Sequence, residues 1–384
     1  MSMPESLLVF SDDWGRHPSS CQHLIGELLP EIDVTWVNTI GMRPPRLDLL
    51  TVKRVWGKVG DWSQLRQADA TGKGVTNHTN LTVIDTKMWP WMNHRWDRWL
   101  NQRLLMSQLA SSARSSVAVT TIPIVADLVG HLPVRRWIYY CVDDFSVWPG
   151  LDGPTLGRME DELLPKMDLI VAASDSLAAG IAARGFQADV ITHGVDLEFW
   201  SAKPHDLMQP TMSQIPDKSP LVLFWGVVDQ RMNADWVLEL ADQMSSGEIW
   251  LVGPKQNPDS RLSAHPRVKL PGAIPYTELP FLAQRADVLI MPYADLAVTR
   301  AMQPLKLKEY LATMRPVVAA TLPPVLEWSD CLDAVDTVGD FVDRTLFHLQ
   351  NNGGLSLTMR KARHRLEIET WANKASRFQQ MLFR

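Results

Sequence analysis

Short apolar runs rich in β-branched and aromatic residues alternate with stretches of helical period along most of the chain, the pattern of parallel sheets covered by helices. In the first half, the runs at 7–10, 34–37, 117–120, 137–141, 169–172 and 189–192 read as strands. A second series follows, with strands at 221–225, 248–252, 268–270, 288–291 and 317–320 and helices at 234–243, 278–284 and 304–313. Residues 201–219 hold Pro204, Pro210 and Pro216 among polar neighbours without periodicity, and read as a linker. Residues 358–382 carry one long polar helical pattern. The expected fold class is α/β, with two Rossmann-like domains at 1–200 and 220–355 facing a central cleft and a C-terminal helix at 356–384 packing back on the first domain. Ligands of such sheets bind outside the carboxyl ends of the strands.

Composition narrows the partners. A chain of 384 residues suits two cores better than one. With 46% hydrophobic and 21% charged residues it is an ordinary globular chain, and a net charge of -5 argues against nucleic acid. Cys21, Cys141 and Cys331 are far apart and lack C-x-x-C spacing, so neither a disulfide framework nor a zinc site is expected. The opening MSMPESLLVF has no Lys or Arg and its apolar run stops at Ser11-Asp12-Asp13, so no signal peptide is expected. No stretch has the length of a spanning helix. The cytoplasm is the expected compartment.

Sixteen tryptophans change that picture, because many lie in the first hundred residues beside Arg and Lys. In MWPWMNHRWDRWLNQRLL, Trp89, Met92, Trp96 and Trp99 recur at helical spacing with Arg95 and Arg98 alongside. That is the build of an interfacial helix on the inner face of a membrane, and Lys53, Arg54, Trp56 and Lys58 repeat the mixture. The same stripe is equally the build of a Trp-rich core, and both readings stand.

The chemistry concentrates at 291–320, MPYADLAVTRAMQPLKLKEYLATMRPVVAA. Pro304 is placed to open a helix whose first-turn N–H groups and dipole suit a diphosphate. Lys306, Glu309 and Tyr310 follow along one stripe. A carboxylate there can accept from two ribose hydroxyls while the lysine offsets phosphate charge; the alternative is an ordinary surface Lys–Glu pair. PLKLKEYLATMRPVVA resembles the P-x-K-x-x-E-Y-L-A-x-G-x-P-V-V segment of group 1 (family-4-like) glycosyltransferases. FWGVVDQRMN, LVGP at 251–254 and PGAIPYTELPFLAQRADVLIMP are similar to that family's phosphate loop, third-strand loop and base-binding region, in the same order over 220–320. The resemblance implies the GT-B fold and a UDP- or GDP-linked sugar. It places Glu309 on the ribose and Arg231 at the diphosphate, with Gly226, Gln303, Pro304, Leu305 and Lys306 around the phosphates and Ala273 and Ile274 flanking the base. Two positions depart from the pattern: Ala301 stands where many members carry a second glutamate, and Met314 where the helix usually ends in glycine.

Two further segments point to an acceptor. VFSDDWGRHPSSCQHL crowds Asp13, Arg16, His17, Ser19 and Ser20 into a strand-to-helix connection. It resembles the W-x-x-R/H-P-S-S-x-Q-H-L opening of transferases in polysaccharide and cell-surface glycan assembly, including the teichuronic-acid type, although one of the two serines serves equally well as a helix cap. In YYCVDDFSVWPG a strand delivers Asp143 and Asp144, and Asp144 is favoured over Asp143 as general base, the other reading being a loop anchor. ITHGVD, with His193 and Gly194, resembles the N-G-V-D loop of these enzymes. No D-x-D pair is placed for a metal, so the departing diphosphate is expected to be stabilised by Arg231, Lys306 and helix N–H groups without a metal or other cofactor. The resulting expectation is a glycosyltransferase acting on a glycan or lipid-linked acceptor. An epimerase or phosphorylase on the same plan, or a noncatalytic nucleotide-sugar-binding component of an assembly complex, is the alternative.

Overall fold

A sheet strand with neighbours on both sides and helices on both faces must be apolar along its centre, and the first strand is so at 7–10. Leu7, Leu8, Val9 and Phe10 are all fully buried. In the computed structural model, which describes residues 6–15, 19–39, 79–114, 116–148, 150–202, 220–302, 305–351 and 354–384, this run becomes the centre of a parallel sheet. The chain divides into two compact units, Met1–Thr192 with Ala375–Arg384, and His193–Lys374.

In unit 1, the strands are β1 (Ser6–Ser11), β2 (Asp33–Asn38), β3 (Leu81–Asp85), β4 (Val117–Thr120), β5 (Arg136–Cys141), β6 (Leu169–Ala172) and β7 (Asp189–Val190). Their order is β3-β2-β1-β4-β5-β6-β7, with Leu7 opposite both Val34 and Val117. Helices α1 (Ser20–Leu28), α2 (Arg95–Leu109), α3 (Gly153–Leu163) and α4 (Asp175–Ala182) complete the unit.

Unit 2 contains α5 (Leu197–Ser201), β8 (Leu221–Trp225), β9 (Val228–Asp229), α6 (Ala234–Gln243), β10 (Glu248–Val252), β11 (Lys255–Gln256), β12 (Val268–Gly272), β13 (Val288–Met291), α7 (Leu305–Ala312), β14 (Val317–Ala320), β15 (Asp333–Val335) and α8 (Val338–Gln350). Its main sheet is ordered β12-β10-β8-β13-β14-β15, and Leu289 lies opposite Leu223 and Val317. In both sheets the first strand lies between the second and the fourth of its series, so the order reverses there, as in a dinucleotide-binding fold.

The anticipated central strands are present. Of those the sequence does not announce, β3 and β15 lie at edges of the two main sheets, where one missing neighbour removes the need for a continuous apolar run, while the two-residue strands β9 and β11 pair with each other. Val83 in β3 is 41% exposed. Pro271 is tolerated inside β12 because that strand is also an edge. The linker positions 203–219 and the residues Lys53, Arg54, Trp56 and Lys58 lie outside the described residues.

The single helix expected over 358–382 is corrected. A short helix, Leu357–Ala362, passes into a 3-10 segment, Arg363–Ile368, and then α9 (Trp371–Leu382). The break at Glu369 and Thr370 has a local cause: Val195 donates its N–H to the Glu369 carbonyl at 2.9 Å, and Trp371 donates back to the Val195 carbonyl. Within unit 1, Phe378 of α9 packs 5.6 Å from the Tyr140 ring, and Arg136 donates to the Met381 carbonyl at 2.9 Å.

Helix α7 ends without its usual glycine, and the structure shows what replaces it. Met314 adopts φ 59°, the left-handed conformation, while Thr313 Oγ1 donates to the Tyr310 carbonyl at 2.6 Å. The buried Arg363 guanidinium then caps the carbonyls of Leu311 and Arg315 at 3.1 and 2.9 Å. A left-handed non-glycine residue costs about 1–2 kcal/mol, partly offset by the entropy glycine loses on folding. Met314→Gly is therefore expected to stabilise the protein by up to about 1 kcal/mol in equilibrium denaturation, and a loss of stability would refute this account of the cap.

Candidate functional site

The unit 2 sheet reverses its order between β8 and β13, and the chain leaves β8 through Gly226 at φ 144°. Gly253, which follows β10, presses so close that a Cβ there would stand 1.9 Å from the Gly226 carbonyl oxygen. Two glycines thus let adjacent strand ends approach and leave backbone facing α7. Lys306, in the first turn of α7, lies over this backbone: a Cβ on Gly226 would come within 2.0 Å of its Nζ. The ammonium donates to Tyr293 Oη at 2.7 Å and sits 5.1 Å from the Phe224 ring centroid and 5.4 Å from that of Tyr293. Aromatic walls hold the cation in place while the side chain stays half-buried.

Glu309 follows one turn later and is only 6% exposed. Its Oε2 accepts from Trp225 Nε1 and its Oε1 from Tyr276 Oη, each at 3.1 Å. Burial raises its pKa above the ordinary carboxylate value, against the pull of those two donors and of Lys306. The donors are themselves fixed by stacking. Trp225 lies 5.1 Å from Trp200 at an interplanar angle of 11°, and Tyr276 lies 4.9 Å from Phe199 at 9°. Beneath them Tyr310 Oη accepts the Trp225 N–H at 2.8 Å. Four lone-pair positions on a carboxylate leave room for further donors beside Trp225 and Tyr276.

Arg231 is 8% exposed and comes from the loop after β9. Its Nε and Nη2 engage Asp229, the latter at 2.9 Å from Oδ2, and Nη1 lies 3.9 Å from Met302 Sδ. The charge expected for a diphosphate is therefore largely balanced by Asp229, which the sequence reading did not single out. The loop is pinned to the segment after β13, since Ala294 donates to the Arg231 carbonyl and Asn233 to that of Pro292, both at 2.7 Å. Ala273 is exposed and Ile274 half-buried just after β12. Gln303 and Pro304 lie outside the described residues; α7 opens at Leu305, and Ala301 ends the helix Ala297–Ala301.

In unit 1, the connection from β1 to α1 is a pinned turn. Ser19 caps α1 by accepting from the Gln22 N–H at 3.4 Å and donates its own hydroxyl to Asp12 Oδ1 at 3.1 Å. The capping alternative thus holds for Ser19, and Ser20 is buried in the first helical turn. Gln22 Nε2 donates to Asp12 Oδ2 at 3.0 Å and to the Asp13 carbonyl at 3.2 Å, so Asp12 and Gln22 organise the turn that carries Asp13. Arg16 and His17 lie outside the described residues.

Asp143 and Asp144 follow the end of β5, half-buried. Asp144 Oδ1 accepts from the Ser146 N–H at 3.0 Å and from its hydroxyl; Oδ2 has no hydrogen bond among the described residues. Beneath this end of the strand, Tyr139 donates to Glu160 at 2.7 Å, and Glu160 pairs with Arg184 at 2.7 Å. His193 and Gly194 fall within unit 2. The His193 carbonyl accepts from Lys308 Nζ at 2.6 Å, Lys308 also pairs with Glu369, and a Cβ on Gly194 would meet the Trp371 ring at 2.7 Å. Burial pushes the Lys308 ammonium down to about 8 against the pull of Glu369.

The tryptophan stripe needs correction. Trp89 and Met92 precede α2, which opens at Arg95, so the four residues do not share one helix face. The buried face of α2 is Asp97, Asn101, Leu105 and Leu109. Trp89 donates from Nε1 to Asp97 at 2.8 Å and packs 5.5 Å from Trp96. Trp96 and Trp99 are 54% and 51% exposed, and the Arg103 guanidinium lies 4.5 Å over Trp99. Arg98 is bound by Asp127 and Glu162. Among the described residues no helix is long and apolar enough to cross a membrane.

Residues 219–351 match the profile of the family described as Glycosyl transferases group 1. Over 173 residues the chain is 29% identical to TuaH of Bacillus subtilis (strain 168), named for teichuronic acid biosynthesis and as a glycosyltransferase; the match spans 43% of this chain and 43% of that protein, less than half of either. Among solved structures, the chain is similar to sucrose-phosphate synthase from Thermosynechococcus elongatus, with a TM-score of 0.71 and 14% identity over 98% of both chains. It is also similar to Anabaena Alr3699/HepE in complex with UDP and glucose, with a TM-score of 0.68 and 13% identity over 98% of this chain and 99% of that one. At such identities the likeness shows the fold, which is GT-B with two Rossmann-like units.

Proposed function

We propose that this chain, whose residues 219–351 match the group 1 glycosyl transferase family, moves a sugar from a nucleotide-diphosphate sugar to a glycan or lipid-linked acceptor in cell-surface polysaccharide assembly. One observation carries the reading. Lys306 and Glu309 lie one turn apart on α7 at the reversal of the unit 2 sheet, the lysine over the bare backbone of Gly226 and the glutamate turned into an aromatic box. A cation and a hydroxyl acceptor one turn apart beside that strand end support a diphosphate and its ribose as the ligand. UDP is the favoured nucleotide, since the HepE complexes hold UDP.

In the proposed reaction, the acceptor hydroxyl oxygen bonds to the anomeric carbon as the bond from that carbon to the diphosphate oxygen breaks. The acceptor proton passes to Asp144, and the charge developing on the diphosphate is met by Lys306, by Arg231 from its pair with Asp229, and by the first N–H groups of α7. Asp13, Ser20 and their neighbours after β1 are proposed to bind the acceptor. Release of UDP from a UDP-sugar should depend on added lipid-linked glycan. Equal release without acceptor, or a change of sugar configuration without transfer, would favour a hydrolase or epimerase instead.

Contact with the inner membrane face is proposed through Trp96 and Trp99, whose rings are exposed, with the Arg103 guanidinium over the Trp99 ring. Replacing both tryptophans with serine is expected to weaken sedimentation with anionic vesicles by about tenfold or more, given the apolar area each ring buries. Unchanged sedimentation would assign the rings to another surface.

A further inference from the structure

Beside the start of α2, unit 1 forms an open pocket of about 530 Å³ whose lining includes Arg95, Arg98, Thr155, Arg158 and Glu162. Three guanidinium groups and one carboxylate face it. The carboxylate is already spent. Arg98 donates from Nη1 to Glu162 Oε1 at 3.0 Å and from Nη2 to Oε2, and from Nε to Asp127 at 2.7 Å, so this trio is a closed ion-paired scaffold. Hydrogen bonding to Arg98 holds the Glu162 carboxyl below its ordinary range, which keeps the scaffold ionised.

The two remaining charged residues of the lining, Arg95 and Arg158, are both cationic. Arg95 and Arg158 make no salt bridge among the described residues; Arg158 Nη2 donates to Thr155 Oγ1 at 3.0 Å, and its charge adds to that of Arg98 in lowering the Glu162 pKa. Arg95 and Arg98 also occupy the first turn of the fifteen-residue α2, the positive end of its dipole, where cations are disfavoured. The acid in that turn, Asp97, is not among the residues that line the cavity. Asp97 is buried, with Oδ1 taken by Trp89 Nε1 and Oδ2 by the His94 N–H at 2.9 Å. Two unpaired guanidinium forks, a helix N-terminus and a pocket within the volume range of small-ligand sites converge on one spot.

We propose that this cavity binds a phosphate-bearing group, with Arg95 and Arg158 as its ligands and the Arg98–Glu162–Asp127 trio holding the pocket in shape. The residues of this site all belong to unit 1, whereas Lys306 and Glu309 belong to unit 2, and the proposal does not depend on the transferase reading. The group is either the headgroup of a lipid or the phosphate of a soluble molecule, and the two sources give different results.

Pyrophosphate is titrated calorimetrically into the full-length protein saturated with UDP, and the protein is sedimented with phosphatidylcholine vesicles with and without phosphatidylglycerol. A soluble source predicts pyrophosphate binding without vesicle preference. A headgroup source predicts sedimentation with phosphatidylglycerol that pyrophosphate competes away. In either case Arg95→Gln combined with Arg158→Gln weakens the interaction by on the order of tenfold or more, Arg158→Lys retains part of it, and UDP affinity and thermal midpoint stay at wild-type values. If UDP itself does not bind, the nucleotide reading fails, while the double variant still reads out this cavity. No binding in either arm, or binding indifferent to the double variant, overturns the proposal.

Discussion

Glu309→Ala abolishes the thermal stabilisation that a saturating UDP-sugar gives the wild-type protein. Two hydroxyl donors to one carboxylate contribute about 1.5–3 kcal/mol each, so losing both lowers affinity by roughly two to four orders of magnitude. A ligand at a hundred times its Kd stabilises by about 2.7 kcal/mol, and a loss of that size removes nearly all of the shift. Glu309→Gln separates binding from folding. It keeps the volume and one acceptor for Trp225 or Tyr276 while removing a buried charge, so stability is retained as the donor shift collapses. The pH dependence has two opposite signs. Because burial raises the folded pKa of Glu309 above the ordinary 4.5, its contribution to the stability of the free protein is full below the unfolded pKa and is lost as pH rises through the folded value. Donor affinity runs the other way, falling as pH drops through that value and the carboxylate is protonated. The glutamine variant should show neither trend.

Asp144→Asn is expected to lower kcat by about 10²–10⁴ while leaving nucleotide affinity unchanged, the range for loss of a general base. Asparagine can still accept from the Ser146 N–H, so the turn after β5 survives and the loss is chemical rather than structural. Turnover within a few-fold of wild type would remove Asp144 from the reaction and leave Asp143 as the next residue to replace.

The parts of this protein legible in its sequence are those governed by local spacing or by burial on both faces. β1, β8 and β13 are continuous apolar runs because they lie between neighbouring strands, and they read correctly. The edges β3 and β15 lack that constraint and were missed. Lys306 and Glu309 are three positions apart on one helix, so their partnership is visible in sequence. The residues that hold them, Phe199 with Trp200, Trp225, Tyr276 and Tyr293, come from four separate places and meet only in the folded unit. Asp229 lay two positions from Arg231, yet its pairing follows from the tight loop after β9, which no periodicity announces. The start of α2 had a readable signal in the His94–Asp97 spacing, whose acid turns back on the His94 N–H. Reading that cap would have separated Trp89 and Met92 from Trp96 and Trp99.

The most direct measurement is a crystal structure of the protein with a UDP-sugar bound. The ribose hydroxyls should lie within hydrogen-bonding distance of the Glu309 carboxylate and the phosphates between Lys306 and the Gly226 backbone. A nucleotide resolved at any other place in unit 2, with Glu309 bonded to Trp225 and Tyr276 and to no part of the ligand, would contradict the account.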